Sequence, residues 1–123
     1  MTGSAGKSTT SALIHHVLAT NGHHVVLGGN IGGSLLGMLE VISPDTFVVL
    51  ELSSFMLHWL PAFSPHVAVV TNLAPNHLDW HQTMDHYRTS KQRLLAGQRA
   101  GDTAVLGGVG AGGVADWPLN AGV

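Results

Sequence analysis

The chain has 123 residues, 45% of them apolar, and five Lys plus Arg against seven Asp plus Glu, for a net charge of −2. That length fits one domain with its own core, and so little basic charge argues against a nucleic-acid partner. There is no run of roughly eighteen apolar residues and no charged-then-apolar leader, so neither a membrane span nor a secretory signal is expected. With no cysteine, disulfides and thiolate metal sites are excluded, and the expected location is the cytoplasm.

MTGSAGKSTT opens the chain. Glycines at such a turn let several N–H groups point at one anion, and the following helix adds its positive end. A lysine there reaches the outer phosphates of a nucleotide, and a Ser or Thr hydroxyl serves Mg²⁺. Gly3, Ser4, Ala5, Gly6, Lys7, Ser8 and Thr9 supply these parts as G-x-x-G-K-S, two residues shorter than the common G-x-x-x-x-G-K-[ST] pattern. The same residues also read as a helix start with a solvated lysine. A loop of this kind follows a buried strand, yet only Met1-Thr2 precedes it, so the expectation is a sheet lacking its first strand.

Residues 7 to 21 read as a helix, with Leu13, Ile14, Val17 and Leu18 at helical spacing and Asn21-Gly22 as the stop. His23 to Leu27 reads as a short buried strand ended by Gly28-Gly29, and a second helix is predicted over about Gly33 to Val41. Ser43-Pro44-Asp45 is a turn. Thr46 to Leu52 is the clearest strand, continuous, apolar and β-branched; His66 to Asn72 is another. A third helix is predicted over about Met84 to Gln98, and Thr103 to Leu106 is a last short strand. The tail 107–123 is rich in Gly, Ala and Val without a period, and reads as a loop or a poorly ordered end.

Apolar strands alternating with helices predict an α/β fold with a parallel sheet in three layers. Ligands in such sheets bind beyond the carboxyl ends of the strands. Those ends are Gly28 to Asn30, Glu51 to Ser54 and Asn72 to His77, each polar where the preceding strand is apolar. A carboxylate such as Glu51, closing an apolar strand, is costly to bury alone. It is relieved by a metal, by loop N–H groups, or by exposure at the sheet edge. His77, His81 and Asp85 recur at four-residue intervals, a zinc spacing if helical. Pro75-Asn76 instead puts His77 on a loop at a strand end, and Gln82-Thr83 reads as the cap of the next helix. Lys91 lies two turns into that helix, where a lysine is ordinarily solvated. Of the paired histidines, His15-His16 falls on the first helix with one member partly buried.

Taken together, TGSAGKSTT, GGNIGG, ELSSF, TNLAPNHLDWH and YRTSK resemble, in order and spacing, the central ATP-binding domain of the Mur ligases over about residues 1 to 106. GGNIG, ELSSF and NHLDWH most resemble the branch that joins D-glutamate to UDP-N-acetylmuramoyl-L-alanine in peptidoglycan precursor synthesis. The resemblance implies a P-loop-containing domain, ATP and Mg²⁺ as cofactors, and an acyl-phosphate intermediate on the muramoyl substrate that the D-glutamate amine attacks. It implies Lys7 on the phosphates, Ser8, Glu51 and His77 at Mg²⁺, and Asn30, Ser53 and His77 at the UDP-muramoyl substrate. Lys91 matches a lysine carried as a carbamate, and Lys7, His77 and Lys91 form the catalytic set. It implies N- and C-terminal domains of the same enzyme, without which residues 1–106 are expected to have little activity. Another Mur-type or folylpolyglutamate-type amide ligase, or a non-catalytic nucleotide-binding fragment, would share the glycine loop.

Overall fold

The computed structural model describes residues 1–60, 62–108 and 110–123. The fold is α/β with parallel strands, and the chain forms two compact units: Met1 with Gly6–Leu52, and Thr2–Ala5 with Ser53–Val123.

In the first unit, α1 spans Lys7–Thr20. It ends where expected: the Asn21 side chain donates to Val17 O at 2.8 Å, and Gly22 takes a left-handed φ of 82°. His15 is half-buried and His16 exposed. Strand β1 runs Val25–Gly29 and pairs in parallel with β2, Phe47–Glu51. The β1 strand lies two residues later than the predicted His23–Leu27. Gly28 and Gly29 read as terminators, but they pair with Leu50 and Glu51. They are glycine because neighbours crowd them: a Cβ on Gly28 would lie 2.5 Å from the Leu35 side chain, and one on Gly29 2.2 Å from Glu51 O. The predicted second helix is a 3-10 helix over Leu35–Val41, N-capped by the Ser34 hydroxyl. Gly32 and Gly33, both at positive φ, delay its start, and its seven residues make it longer than most helices of this tighter winding. Met1 lies along β2, accepting from the Leu52 N–H at 2.8 Å and donating through its amino group to Leu50 O.

In the second unit, β3 (Val67–Val70) pairs in parallel with β4 (Thr103–Leu106), and Thr2 makes a parallel bridge to Val70. Helix α4 spans Met84–Ala96, opened by Thr83, whose hydroxyl accepts from His86 N at 3.1 Å. Two short helices were not legible in the sequence: α2, Ser54–Trp59, and α3, Leu78–His81. Leu57, Ala68, Val70 and Leu94 form the fully buried centre. The described residues of the tail, 107–108 and 110–123, hold no helix or strand but are packed. Leu73 N donates to Gly112 O at 2.9 Å, Val114 is fully buried and Trp117 is 7% exposed. The Asn120 amide donates to Ala96 O and Gln98 O at 3.1 and 2.7 Å, taking up carbonyls that the end of α4 leaves unpaired.

Histidines from α2, α3 and α4 meet around Trp80. The His58 and His81 rings lie 4.9 Å from His86, and Trp80 lies 4.5 to 5.8 Å from all three. Burial first, then the charges of His86 and Arg93, lower the His58 pKa. Burial, then His86, His58, His77 and Lys91, lower that of His81.

Two outcomes follow from this packing. A histidine held below its unfolded pKa of about 6.5 stays neutral in the fold while the unfolded chain takes up protons. The stability it contributes is complete above about pH 7 and is lost as the pH falls through about 6.5. Thermal melts from pH 7.5 to 5.5 are expected to fall in midpoint, with a shallower fall for His58→Gln; a flat profile would contradict the assignment. Trp117→Ala is expected to cost about 3–5 kcal/mol in denaturant unfolding, whereas a tail without packing would show no loss.

Candidate functional site

The glycine loop is pinned by side chains that the sequence analysis places only at a strand end. Where β3 ends, Thr71 and Asn72 turn their side chains to the loop. Thr71 Oγ1 donates to Ala5 O at 2.7 Å. The Asn72 side chain accepts from Ala5 N at 3.0 Å and donates to Ala5 O at 3.1 Å, while its carbonyl accepts from Ser4 N at 3.0 Å. Ser4 Oγ accepts from Ala74 N at 2.8 Å, donates to Ala74 O at 2.9 Å and lies 3.0 Å from Tyr87 Oη. Burial raises the Tyr87 pKa against the opposing effect of that hydrogen bond. Gly3 has no room for a side chain, since a Cβ would sit 1.9 Å from Thr71 Oγ1.

Lys91 is not solvated. It is 1% exposed, and its Nζ donates to Gly3 O at 2.8 Å and to Thr2 Oγ1 at 3.3 Å, 4.7 Å from the Tyr87 ring centroid. Lys91 and Tyr87, one turn apart on α4, therefore both reach the start of the loop.

Within the first unit, Gly6 caps α1 at a left-handed φ of 80°, a conformation that favours glycine. No side chain caps α1 and no acidic residue lies in its first turn, which keeps its positive end available to an anion. Lys7 is half-buried, and Ser8 and Thr9 are exposed.

Two predicted residues of this unit do come together. Glu51, opposite Gly29 in the ladder, is fully buried. The Asn30 amide donates to Glu51 Oε1 at 2.9 Å, and Asn30 N to Glu51 O at 2.8 Å. Edge exposure is thus excluded as the relief of its carboxylate, and a loop amide, that of Asn30, meets one of its two oxygens. Oε2 remains buried without a hydrogen-bond partner among the described residues. A buried acceptor left so costs about 1–3 kcal/mol, and more when charged. Burial brings the pKa of the Met1 amine down to about 6, against the pull of Glu51. An unpaired carboxylate oxygen of this kind suits a hard cation such as Mg²⁺.

In the second unit, Ser53 caps α2, its hydroxyl accepting from Met56 N at 3.2 Å. His77 is exposed and caps α3 in the left-handed conformation, φ 53° and ψ 33°, its ring 4.9 Å from that of Phe55. His77, His81 and Asp85 do not gather: among the described residues no three His, Cys, Asp or Glu side chains form a metal-holding group. The reason is local. His81 points into the core, its Nε2 2.9 Å from Ser54 Oγ. No described helix is long and apolar enough to cross a membrane.

Comparison with known proteins agrees with this layout. The Mur ligase middle domain family matches residues 1–109. The chain is 50% identical over 106 residues to UDP-N-acetylmuramoylalanine--D-glutamate ligase of Acetivibrio thermocellus, covering 86% of this chain and 22% of that protein. It is 49% identical over 106 residues to the ligase of the same name from Symbiobacterium thermophilum, covering 86% and 23%. With that of Mycobacterium leprae it shares 46% over 101 residues, covering 81% and 21%. The chain thus spans about a fifth of the length of these curated relatives. A match over nearly all of its sequence, with the motifs at the strand ends, means that the chain belongs to the Mur ligase middle domain family.

Proposed function

We propose that this chain is the ATP-binding part of a cytoplasmic ligase that joins D-glutamate to UDP-N-acetylmuramoyl-L-alanine, acting with N- and C-terminal domains of the same enzyme. The reading carries with it the three-layer, P-loop-type sheet of the family. The observation that supports it most is the Glu51 carboxylate, buried at the end of β2 with one oxygen tied to Asn30 and the other unpaired.

In this reading the loop from Gly3 to Thr9 cradles the phosphates through the backbone N–H groups that follow Ala5, those of Ser4 and Ala5 being held by Asn72, and the Lys7 ammonium balances their outer charge. By the resemblance, Ser8, Glu51 and His77 are the residues that would hold Mg²⁺, which when bound would neutralise charge on the phosphoryl group being transferred. Asn30, Ser53 and His77 orient the muramoyl substrate so that its carboxylate faces the γ-phosphate. Attack there gives an acyl phosphate as the bond to the β-phosphate breaks and ADP leaves; the D-glutamate amine then adds to its carbonyl, gives up a proton, and phosphate leaves. What the chain contributes is alignment of two anions and a fixed set of donors, which is the main source of rate in such transfers. Lys91 carries a carbamate in this reading, formed from its neutral amine and CO₂ with loss of a proton. Its burial against the Gly3 carbonyl keeps it at the loop.

Three measurements test the proposal. Mg·ATP is expected to raise the melting temperature of the chain, and Lys7→Ala to abolish the rise; no rise in the parent chain would overturn the nucleotide assignment. In the complete ligase, D-glutamate is expected to outcompete other amino acids as acceptor, which separates this reading from other amide ligases of the superfamily. Lys91→Ala there is expected to lower kcat by about 100-fold or more, and full activity would remove Lys91 from the catalytic set.

A further inference from the structure

Two non-glycine residues among those described have positive φ, His77 at 53° and Gln82 at 63°, and they bracket α3. Left-handed backbone costs an ordinary residue about 1–2 kcal/mol. A single turn of helix cannot repay two such residues from its own hydrogen bonds, because a nucleus this short is unfavourable by itself. Contacts from outside α3 must hold it.

The anchor is His81, the last residue of α3 and 1% exposed. Its backbone N–H donates to His77 O at 2.9 Å, so its position sets that of His77 one turn earlier. Its ring stacks on Phe55 at 5.5 Å, and the same Phe55 meets the His77 ring at 4.9 Å. Its Nε2 lies 2.9 Å from the hydroxyl of Ser54, itself 2% exposed. His86 Nδ1 donates to His81 O at 3.0 Å and lies 3.3 Å from His81 Nδ1. With the His86 proton on that side, His81 Nδ1 accepts and Nε2–H donates to Ser54. The donor is buried, so losing its acceptor strands it.

We propose that the Ser54–His81 hydrogen bond is a positioning pair: it fixes α3 in its strained form and so sets His77, and through the residue next to Ser54 also Ser53, in register for ligand. This rests on the reading of His77 and Ser53 given above. Neither Ser54 nor His81 touches the reacting atoms; both act through their neighbours.

The test uses Ser54→Ala, which removes one hydroxyl, with His81→Ala and His81→Gln, the last keeping an N–H donor at similar reach. Hydrogen exchange at the His81 and Gln82 amides is expected to quicken at least ten-fold in Ser54→Ala and His81→Ala and to stay near the parent value in His81→Gln. The Mg²⁺ concentration for half-saturation of the His77 NMR shift, with ATP present, is expected to rise by about ten-fold in the first two variants. Parent-like exchange in Ser54→Ala, or equal loss in His81→Gln and His81→Ala, would overturn the proposal, the latter assigning the anchor to ring packing alone. A His77 signal in the parent chain indifferent to Mg²⁺ would overturn the claim that the register serves ligand. The Lys7→Ala melting shift, read on the same samples, reports separately on the nucleotide reading itself.

Discussion

The amine of Lys91 is the constraint around which the second unit is organised. Burying a lysine head group is expensive unless hydrogen bonds replace its water. Here the Gly3 carbonyl, the Thr2 hydroxyl and the Tyr87 ring face it, and a hydrogen bond to a charged group contributes about 1.5–3 kcal/mol. The coupling is mutual. The Gly3 carbonyl cannot move off without costing the amine a hydrogen bond, and α4 cannot shift without straining it. The backbone of the loop is therefore set by a helix more than eighty residues away in sequence.

Glu51 obeys the same physics with a different outcome. Asn30 satisfies one carboxylate oxygen and nothing described satisfies the other. A fold optimised for stability alone would pair both or put an apolar residue there. Where local consistency is broken without a compensating contact, function is the usual reason.

Much of this was legible in the sequence. The long strands and helices followed from continuous β-branched runs, from the stop at Asn21-Gly22 and from the cap at Thr83. The β4 strand, Thr103–Leu106, has the bounds its composition suggested. Strand β1 was misplaced because a glycine pair reads as punctuation, whereas here glycine is what close packing against Leu35 and Glu51 O requires. Helices α2 and α3 span six and four residues, too short for a 3.6-residue period to register, and exist through packing on α4. Lys91 looked solvated because no local pattern tells a buried lysine from an exposed one; its partners lie 88 and 89 positions away. Thr71 and Asn72 passed as the end of a strand for the same reason.

The grip of Thr71 and Asn72 on Ser4 and Ala5 makes the loop a discontinuous object. The peptide TGSAGKST on its own carries glycines but few of the bonds that shape them, and others come from residues 66, 67 and 88 positions downstream. Grafting the loop onto another scaffold would require moving the TNLA segment with it. For an engineer, or for recombination between relatives, the smallest exchangeable module is this pair of segments together with Tyr87 and Lys91 of α4, and a crossover that separates them would break a joint that neither parent's own segment reveals.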